Sequence, residues 1–251
     1  MSDRDWYETA FEGGYLDVYP HRDLASARRE ASALVARGLD ESPMLDLGCG
    51  FGRHTLAFAE LGLDVCGLDL SIDLLSRARE LEGARRLAGR LARGDFRRLP
   101  YRSGSFGAVA MLFSSFGYFD DAANGVVLAE VARVLRRGGT LVLDLMNAAR
   151  VRATLVPESR TEACGRLLLE RRALTDGGRR VRKDVELRES DGSLRRWHED
   201  VRLYDPPELR RLLAANGLEL MRTEGDFDGA PDTDEAPRRI VWARAGGGRL
   251  L

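Results

Sequence analysis

Apolar and polar positions follow two rhythms along this chain. The first runs from Leu24 to Asn147, where short apolar runs alternate with stretches of helical period. That alternation is the mark of a parallel sheet covered by helices. "LASARREASALVARG" from Leu24 to about Gly38 predicts a helix, and "PMLDL" a short buried strand. "RHTLAFAELG" predicts a helix stopped by Gly62. "DVCGLDL" predicts the second strand, and Ser71 caps a helix through "IDLLSRARELEGARRL". "RLARGD" and "FGAVAMLF" predict the third and fourth strands. "DDAANGVVLAEVARVLRRGG" predicts a helix closed by Gly138-Gly139, and "TLVLDLM" the fifth strand.

After Asn147 the rhythm changes. "RLLLERRALTD", "RRVRKDVELRES" and "LRRWHEDVRLYD" are extended runs separated by the turn signals Gly177-Gly178 and Asp191-Gly192. They predict an antiparallel meander of three strands. Pro206-Pro207 then opens the helix "PELRRLLAANG", followed by strands in "LELMRTEGDF" and "RRIVWARA". No internal repeat or low-complexity linker divides the chain. The reading is one domain: an N-terminal lid and helix at 1–38, a core at 39–147 and 205–245, and an inserted meander at 148–204 covering the cleft.

Length and composition add limits. A chain of 251 residues buries a sizeable core. No run of about 18 apolar residues occurs, so no transmembrane helix is expected, and "MSDRDWYETAFEGGY" lacks the pattern of a signal peptide. The formal net charge is −1, which gives no electrostatic reason to expect nucleic acid or a membrane surface. Cys49, Cys66 and Cys164 lie far apart, arguing against structural zinc or a disulfide framework and for a reducing cytoplasm. No metal is expected.

The chemistry gathers at the first strand end. Glycines at 48, 50 and 52 let the backbone approach a ligand closely, next to the free N–H groups of a helix N-terminus. A dinucleotide site wants GxGxxG to seat a pyrophosphate. Here the spacing is GxGxG, and Asp46 precedes it. An acid there repels a pyrophosphate and suits a ligand carrying an ammonium or a sulfonium. Asp69 ends the second strand, where a carboxylate accepts from both hydroxyls of a ribose. Asp95-Phe96 follows the third, an acid for an exocyclic amine and a ring for the face of an adenine.

"LDLGCGFGRH", "VCGLDLS", "RGDFRRLP", "FGAVAMLFSSFGYF" and "EVARVLRRGGTLVLDL" resemble the successive motifs of class I S-adenosylmethionine-dependent methyltransferases. The match covers roughly residues 40 to 146, and Asp205 to Ala245 fits the last helix and strand pair. The resemblance implies a Rossmann-like, doubly wound α/β fold with a seven-stranded sheet whose last strand is antiparallel. It implies S-adenosyl-L-methionine as cofactor, with Asp46, Gly48, Gly50 and Gly52 holding the methionine part. Asp69 would bind the ribose, with Leu70 also at the cofactor, Asp95 and Phe96 would bind the adenine, and the backbone at Met111 and Leu112 would face the amine and methyl. The meander resembles that of small-molecule methyltransferases, and "MLFSSFGYF" is similar to a loop of sugar N-methyltransferases. The stretch "WYETAFEGGYLDVYPHR" resembles a segment that folds over the cofactor, placing Tyr7, Tyr15, Tyr19 and Arg22 toward the ligand, with Arg22 able to pair with its carboxylate.

Methyl transfer from a sulfonium needs orientation and exclusion of water, and a base only if the acceptor must lose a proton. Tyr118, in the loop after the fourth strand, and His198, on the meander, are the candidates for orienting or deprotonating the acceptor. The meander arginines Arg171, Arg172, Arg179, Arg180, Arg182, Arg195 and Arg196 fit either an acidic acceptor or a solvated face. Three other readings compete. An NAD(P) oxidoreductase is opposed by the glycine spacing and Asp46. A methyltransferase of RNA or protein is opposed by the charge and by "LFSS" in place of an NPPY-type signature. A non-catalytic cofactor-binding sensor or scaffold is not opposed by any residue. The expected partner is a small-molecule substrate; oligomeric state is open.

Overall fold

The computed structural model describes residues 5–12, 23–163 and 165–246. Helix α1 spans Trp6–Thr9, α2 Leu24–Ala36, α3 Arg53–Glu60, α4 Ile72–Arg77, α5 Asp121–Val134, α6 Ala148–Thr154 and α7 Pro206–Ala215. Strands β1 (Met44–Leu47), β2 (Val65–Asp69), β3 (Leu91–Arg93), β4 (Phe106–Met111), β5 (Leu135–Met146), β10 (Leu218–Glu224) and β11 (Arg238–Ala245) form one sheet. Its order is β10-β11-β5-β4-β1-β2-β3. The pairs from β5 to β3 are parallel, and β11 is antiparallel to both neighbours. The fold is therefore the seven-stranded Rossmann-like sheet with an antiparallel last strand.

Every residue of β1 and of β4 is buried, as strands covered by helices on both faces require. One face carries Ala27, Ala31 and Leu34 of α2 with Phe58 of α3. The other carries Val127, Leu128 and Val131 of α5 with Leu209 and Leu213 of α7. Side-chain caps set the helix starts: Asp23, Ser71 and Asp120 each accept from a backbone N–H three residues on.

Three local expectations are corrected. The helix after Ser71 ends at Arg77 and gives way to two short 3-10 turns, separated where Leu81 turns extended at φ −69, ψ 138 and Gly83 adopts φ 89. The residues "LRRGG" extend β5 rather than α5, with a register shift against β4 that Gly138 at φ 76 accommodates. The insertion holds four strands, not three: β6 (Glu158–Ala163), β7 (Arg166–Thr175), β8 (Arg180–Arg188) and β9 (Leu194–Arg202), in that order, all antiparallel. "ESRTEA" is a polar edge strand with no apolar alternation, so its sequence carries no strand signal. Helix α6, capped by Asn147, was also unforeseen; it packs Ala148 against Val181 and Val201 of the inserted sheet.

Candidate functional site

The ends of β1, β2, β3 and β4 open into one cleft. The glycine loop forms its floor: Gly48, Gly50 and Gly52 all have positive φ. A Cβ at Gly48 would stand 2.8 Å from the Cβ of Ser115. At Gly50 it would face into the cleft, with only Leu74 within 4 Å. Asp69 accepts from the Gly50 N–H at 2.8 Å and from the Ser71 N–H at 2.9 Å, so the β2 acid also shapes the loop. Burial pushes the Asp69 carboxyl above its ordinary range, against the pull of these amides. Asp95 differs. Burial works to raise it, but Arg97 at 2.7 Å outweighs this and holds it below the usual range. Gly48, Gly50, Asp69, Leu70, Asp95, Phe96 and Leu112 all line the cleft. Acids at two strand ends, a ring between them and a floor that admits close backbone approach form a donor set suited to an adenosyl group and an amino acid. The residues present fit S-adenosylmethionine.

Other predicted residues sit behind this wall. Asp46 is buried, and its carboxyl accepts from Thr55 Oγ1 at 2.7 Å inside the fold. It does not line the cleft but stands beneath the glycine loop. Burial raises its pKa as well. Gly52 faces Leu87 and Leu91, and Met111 is wholly buried in the sheet. Replacing Thr55 by valine removes the hydroxyl donor of a buried carboxyl. The expected loss is about 1–3 kcal/mol, read as a fall in unfolding midpoint.

The roof is aromatic. Tyr7 and Phe11 line the cleft together with Phe113, Tyr118 and Phe119 from the segment after β4. Trp6 meets Tyr118 edge-on at 5.0 Å, and Phe11 stacks on Tyr118 at 5.7 Å. Tyr7 packs edge-on against Phe119 at 4.8 Å, with Arg97 over the Phe119 ring. Burial and then its bond to Asp5 push the Tyr7 hydroxyl up to about 12, so it is a neutral donor at ordinary pH. The Ser71 hydroxyl donates to the Phe11 carbonyl, tying the roof to the β2 end. The insertion holds the loop from the other side. Arg180 donates to the Phe119 carbonyl at 2.9 Å, and the Arg202 N–H to the Gly117 carbonyl at 2.8 Å. Gly117 has φ 103, and a Cβ there would stand 2.9 Å from the Arg202 carbonyl oxygen.

A second cavity adjoins the first and shares Phe11, Phe113 and Tyr118 with it. Its remaining lining includes Trp6 and Met146, Lys183 and Glu199 of the inserted sheet, and Arg238 of β11. Lys183 Nζ lies 3.0 Å from Glu199 and 3.9 Å from Glu170, all three side chains largely buried. Tyr118 is thus the predicted residue that reaches both cavities.

His198 lines neither. It sits on the far face of the inserted sheet, with Asp184 and Glu186, and its ring lies 6.4 Å from Trp6. Burial, then Arg182, lowers its pKa. A base acting on a group between the cavities is not placed there, because side chains alternate along β9 and the cleft side belongs to Glu199. The seven meander arginines are each paired with an acid, as a solvated or interlocked face requires. Tyr15, Tyr19 and Arg22 lie outside the described residues. Sequence reasoning missed Phe113, Lys183, Glu199 and Arg238. Only Phe113 stood in a motif already noted; the others come together through β8, β9 and β11, far apart in the chain. Among the described residues no group of three His, Cys, Asp or Glu is placed to hold a metal ion, and no helix is long and apolar enough to cross a membrane.

Comparison with known proteins agrees with this geometry. Residues 44–139 match the family model described as a methyltransferase domain. A Streptomyces cypemycin N-terminal methyltransferase is 29% identical, over 96% of this chain and 98% of the relative. Other curated methyltransferases match over about half of their own length. The structure of the CcbJ methyltransferase from Streptomyces caelestis superposes with a TM-score of 0.80 over 96% of this chain and 99% of that one, at 21% identity, which bears on fold alone. CalS10, an amino pentose methyltransferase from Micromonospora echinaspora solved with S-adenosylmethionine bound, is 25% identical with a TM-score of 0.63 over 93% and 97% of the two chains.

Proposed function

We propose that this chain, whose residues 44–139 match a methyltransferase domain, is a class I S-adenosylmethionine-dependent methyltransferase and that it methylates a polar small molecule, at a nitrogen atom, in the second cavity. One observation carries this reading: the cofactor cleft and a cavity flanked by Lys183 and Glu199 share an aromatic wall. An isoprenoid or quinol acceptor would favour an apolar lining there, whereas the Lys183–Glu199 pair gives this cavity a polar, charged wall. Relatives acting on an amino pentose and on an N-terminus point to nitrogen as well.

In this reading Asp69 holds the ribose hydroxyls, with Leu70 beside it. Asp95 and Phe96 receive the adenine, and the backbone of Gly48 and Gly50 receives the methionine part. Bound there, the cofactor supplies an electrophilic methyl on a cationic sulfur. The aromatic roof excludes water and holds the acceptor in line. An acceptor nitrogen held in the second cavity would present its lone pair to the methyl group that the bound cofactor would supply. Glu199 takes the proton that nitrogen sheds, and Tyr118 orients the acceptor. Residues 39–147 and 205–245 act as the core, 148–204 as the wall of the acceptor cavity and 1–38 as the lid. The cytoplasm is the proposed compartment, in keeping with the unpaired Cys49 and Cys66, and no nucleic acid takes part.

The test is turnover. The protein, with S-adenosylmethionine, is given in parallel an amino sugar, a short peptide with a free N-terminus, a catechol and a quinol, and S-adenosylhomocysteine is measured. Product from the amines alone is expected, and Glu199→Gln should lower it at least tenfold, as loss of a positioned base does. Product from the quinol alone would contradict the nitrogen reading.

A further inference from the structure

The residue between the two cavities is held in an unusual way. Phe113 and Ser114 follow β4 with φ 58 each, two consecutive side-chain-bearing residues in the left-handed region. Such backbone persists only where the surroundings over-determine it. Here they do. The Phe113 N–H donates to Asp144 Oδ2 at 2.7 Å, and the Ser114 N–H to the Asp144 carbonyl at 2.9 Å. Asp144 is fully buried on β5, and Arg238 of β11 grips its carboxylate with Nε and Nη2, both at 2.5 Å. The guanidinium of Arg238 also lies 4.8 Å from the centre of the Phe113 ring, and that of Arg53 lies 4.1 Å from it. Arg53 is itself fixed, largely buried at the start of α3 and 3.8 Å from Glu30. Residues of β5, β11 and α3 thus meet on Phe113, Asp144 at its backbone and Arg238 and Arg53 at its ring, and Phe113 lines both cavities.

Resting on the methyl-transfer reading, we infer that Phe113 is a positioning residue: its ring, clamped by Arg53 and by the Asp144–Arg238 pair, forms the edge of the opening through which the methyl meets the acceptor. The clamp serves alignment. An in-line displacement tolerates little misplacement between donor and acceptor, and a ring fixed from several sides keeps one position. The strained backbone turns this ring toward the opening, and Asp144 holds it there. Size at position 113 then sets which acceptor atom reaches the methyl.

The test uses the whole protein and S-adenosylmethionine labelled with 13C in its methyl group, with no acceptor present. A methyl beside the phenyl ring resonates displaced from its position in free cofactor. Phe113→Tyr, which keeps the ring, should keep the displacement. Phe113→Leu should lose the larger part of it while the cofactor still binds, a change that a merely structural role would not produce. Should Phe113→Leu fail to fold, Arg53→Met reads the same point, because a ring released on one side should displace the methyl less. A displacement unchanged in Phe113→Leu, or in Arg53→Met where that variant is used, would overturn the inference and leave the methyltransferase reading intact. No bound methyl resonance in the wild-type protein would instead overturn the reading on which the inference rests.

Discussion

Arg238→Met should destabilise the fold by about 3 kcal/mol, the lower end of the range for stranding one partner of a buried ion pair. The lower end applies because the Arg238 side chain is 26% exposed, whereas Asp144 is 0% exposed. The mechanism is desolvation. Asp144 loses both guanidinium bonds and keeps only the Phe113 N–H as a donor to its carboxylate among the bonds described. A buried carboxylate that has lost its partners is costly to keep in the fold. For a chain of this size the loss corresponds to a fall in unfolding midpoint on the order of 10 °C. Asp144→Asn combined with Arg238→Met removes both charges and should recover part of the loss. A fall of less than about 1 kcal/mol in Arg238→Met would place it among ordinary surface pairs and contradict this account.

Asp69→Asn should weaken S-adenosylhomocysteine binding by about 100-fold, from two charge-assisted hydrogen bonds of about 1.5–3 kcal/mol each, partly retained by the amide oxygen. The loop suffers too, since Asp69 also accepts from Gly50 and Ser71. The same residue sets a pH dependence. Burial raises the Asp69 pKa, so its carboxylate begins to take up protons above the ordinary carboxylate range. The protonated form is a poorer acceptor for ribose hydroxyls, so cofactor affinity should fall on acidification from that raised value downward. The sign for folding is opposite: a group raised in the folded state favours folding at low pH and loses that contribution as pH rises through its folded pKa. Titration calorimetry across pH reads the binding effect, and Asp69→Asn should flatten the profile. Equal affinity in Asp69→Asn and wild type would remove this residue from the ribose site.

The fold was legible because its central strands are short, continuous apolar runs and its helices carry side-chain caps. Asp69, Leu70, Asp95, Phe96 and the first two glycines were legible for a related reason: each stands at a strand end whose position the pattern fixes. Asp46 shows the limit. Its place at the strand end was right, but whether a carboxylate faces a cleft or a neighbouring hydroxyl depends on Thr55, one helical turn into α3. The clamp on Phe113 could not be read at all. It joins residues 53, 113, 144 and 238, and no local spacing connects them. His198 lies outside the lining of both cavities for a simpler reason. The strand was foreseen, but its register against β8, which puts Lys183 opposite Glu199 on the cleft side, was not.

Everything proposed for this protein depends on the cleft holding S-adenosylmethionine. Thermal unfolding with S-adenosylhomocysteine, beside NADH at the same concentration, tests it most directly. A ligand at about 100 times its dissociation constant stabilises the folded state by roughly 2.7 kcal/mol, a shift of several degrees. That shift is expected with S-adenosylhomocysteine alone, and its loss in Asp69→Ala. A shift with NADH alone, or an undiminished shift in Asp69→Ala, would contradict it.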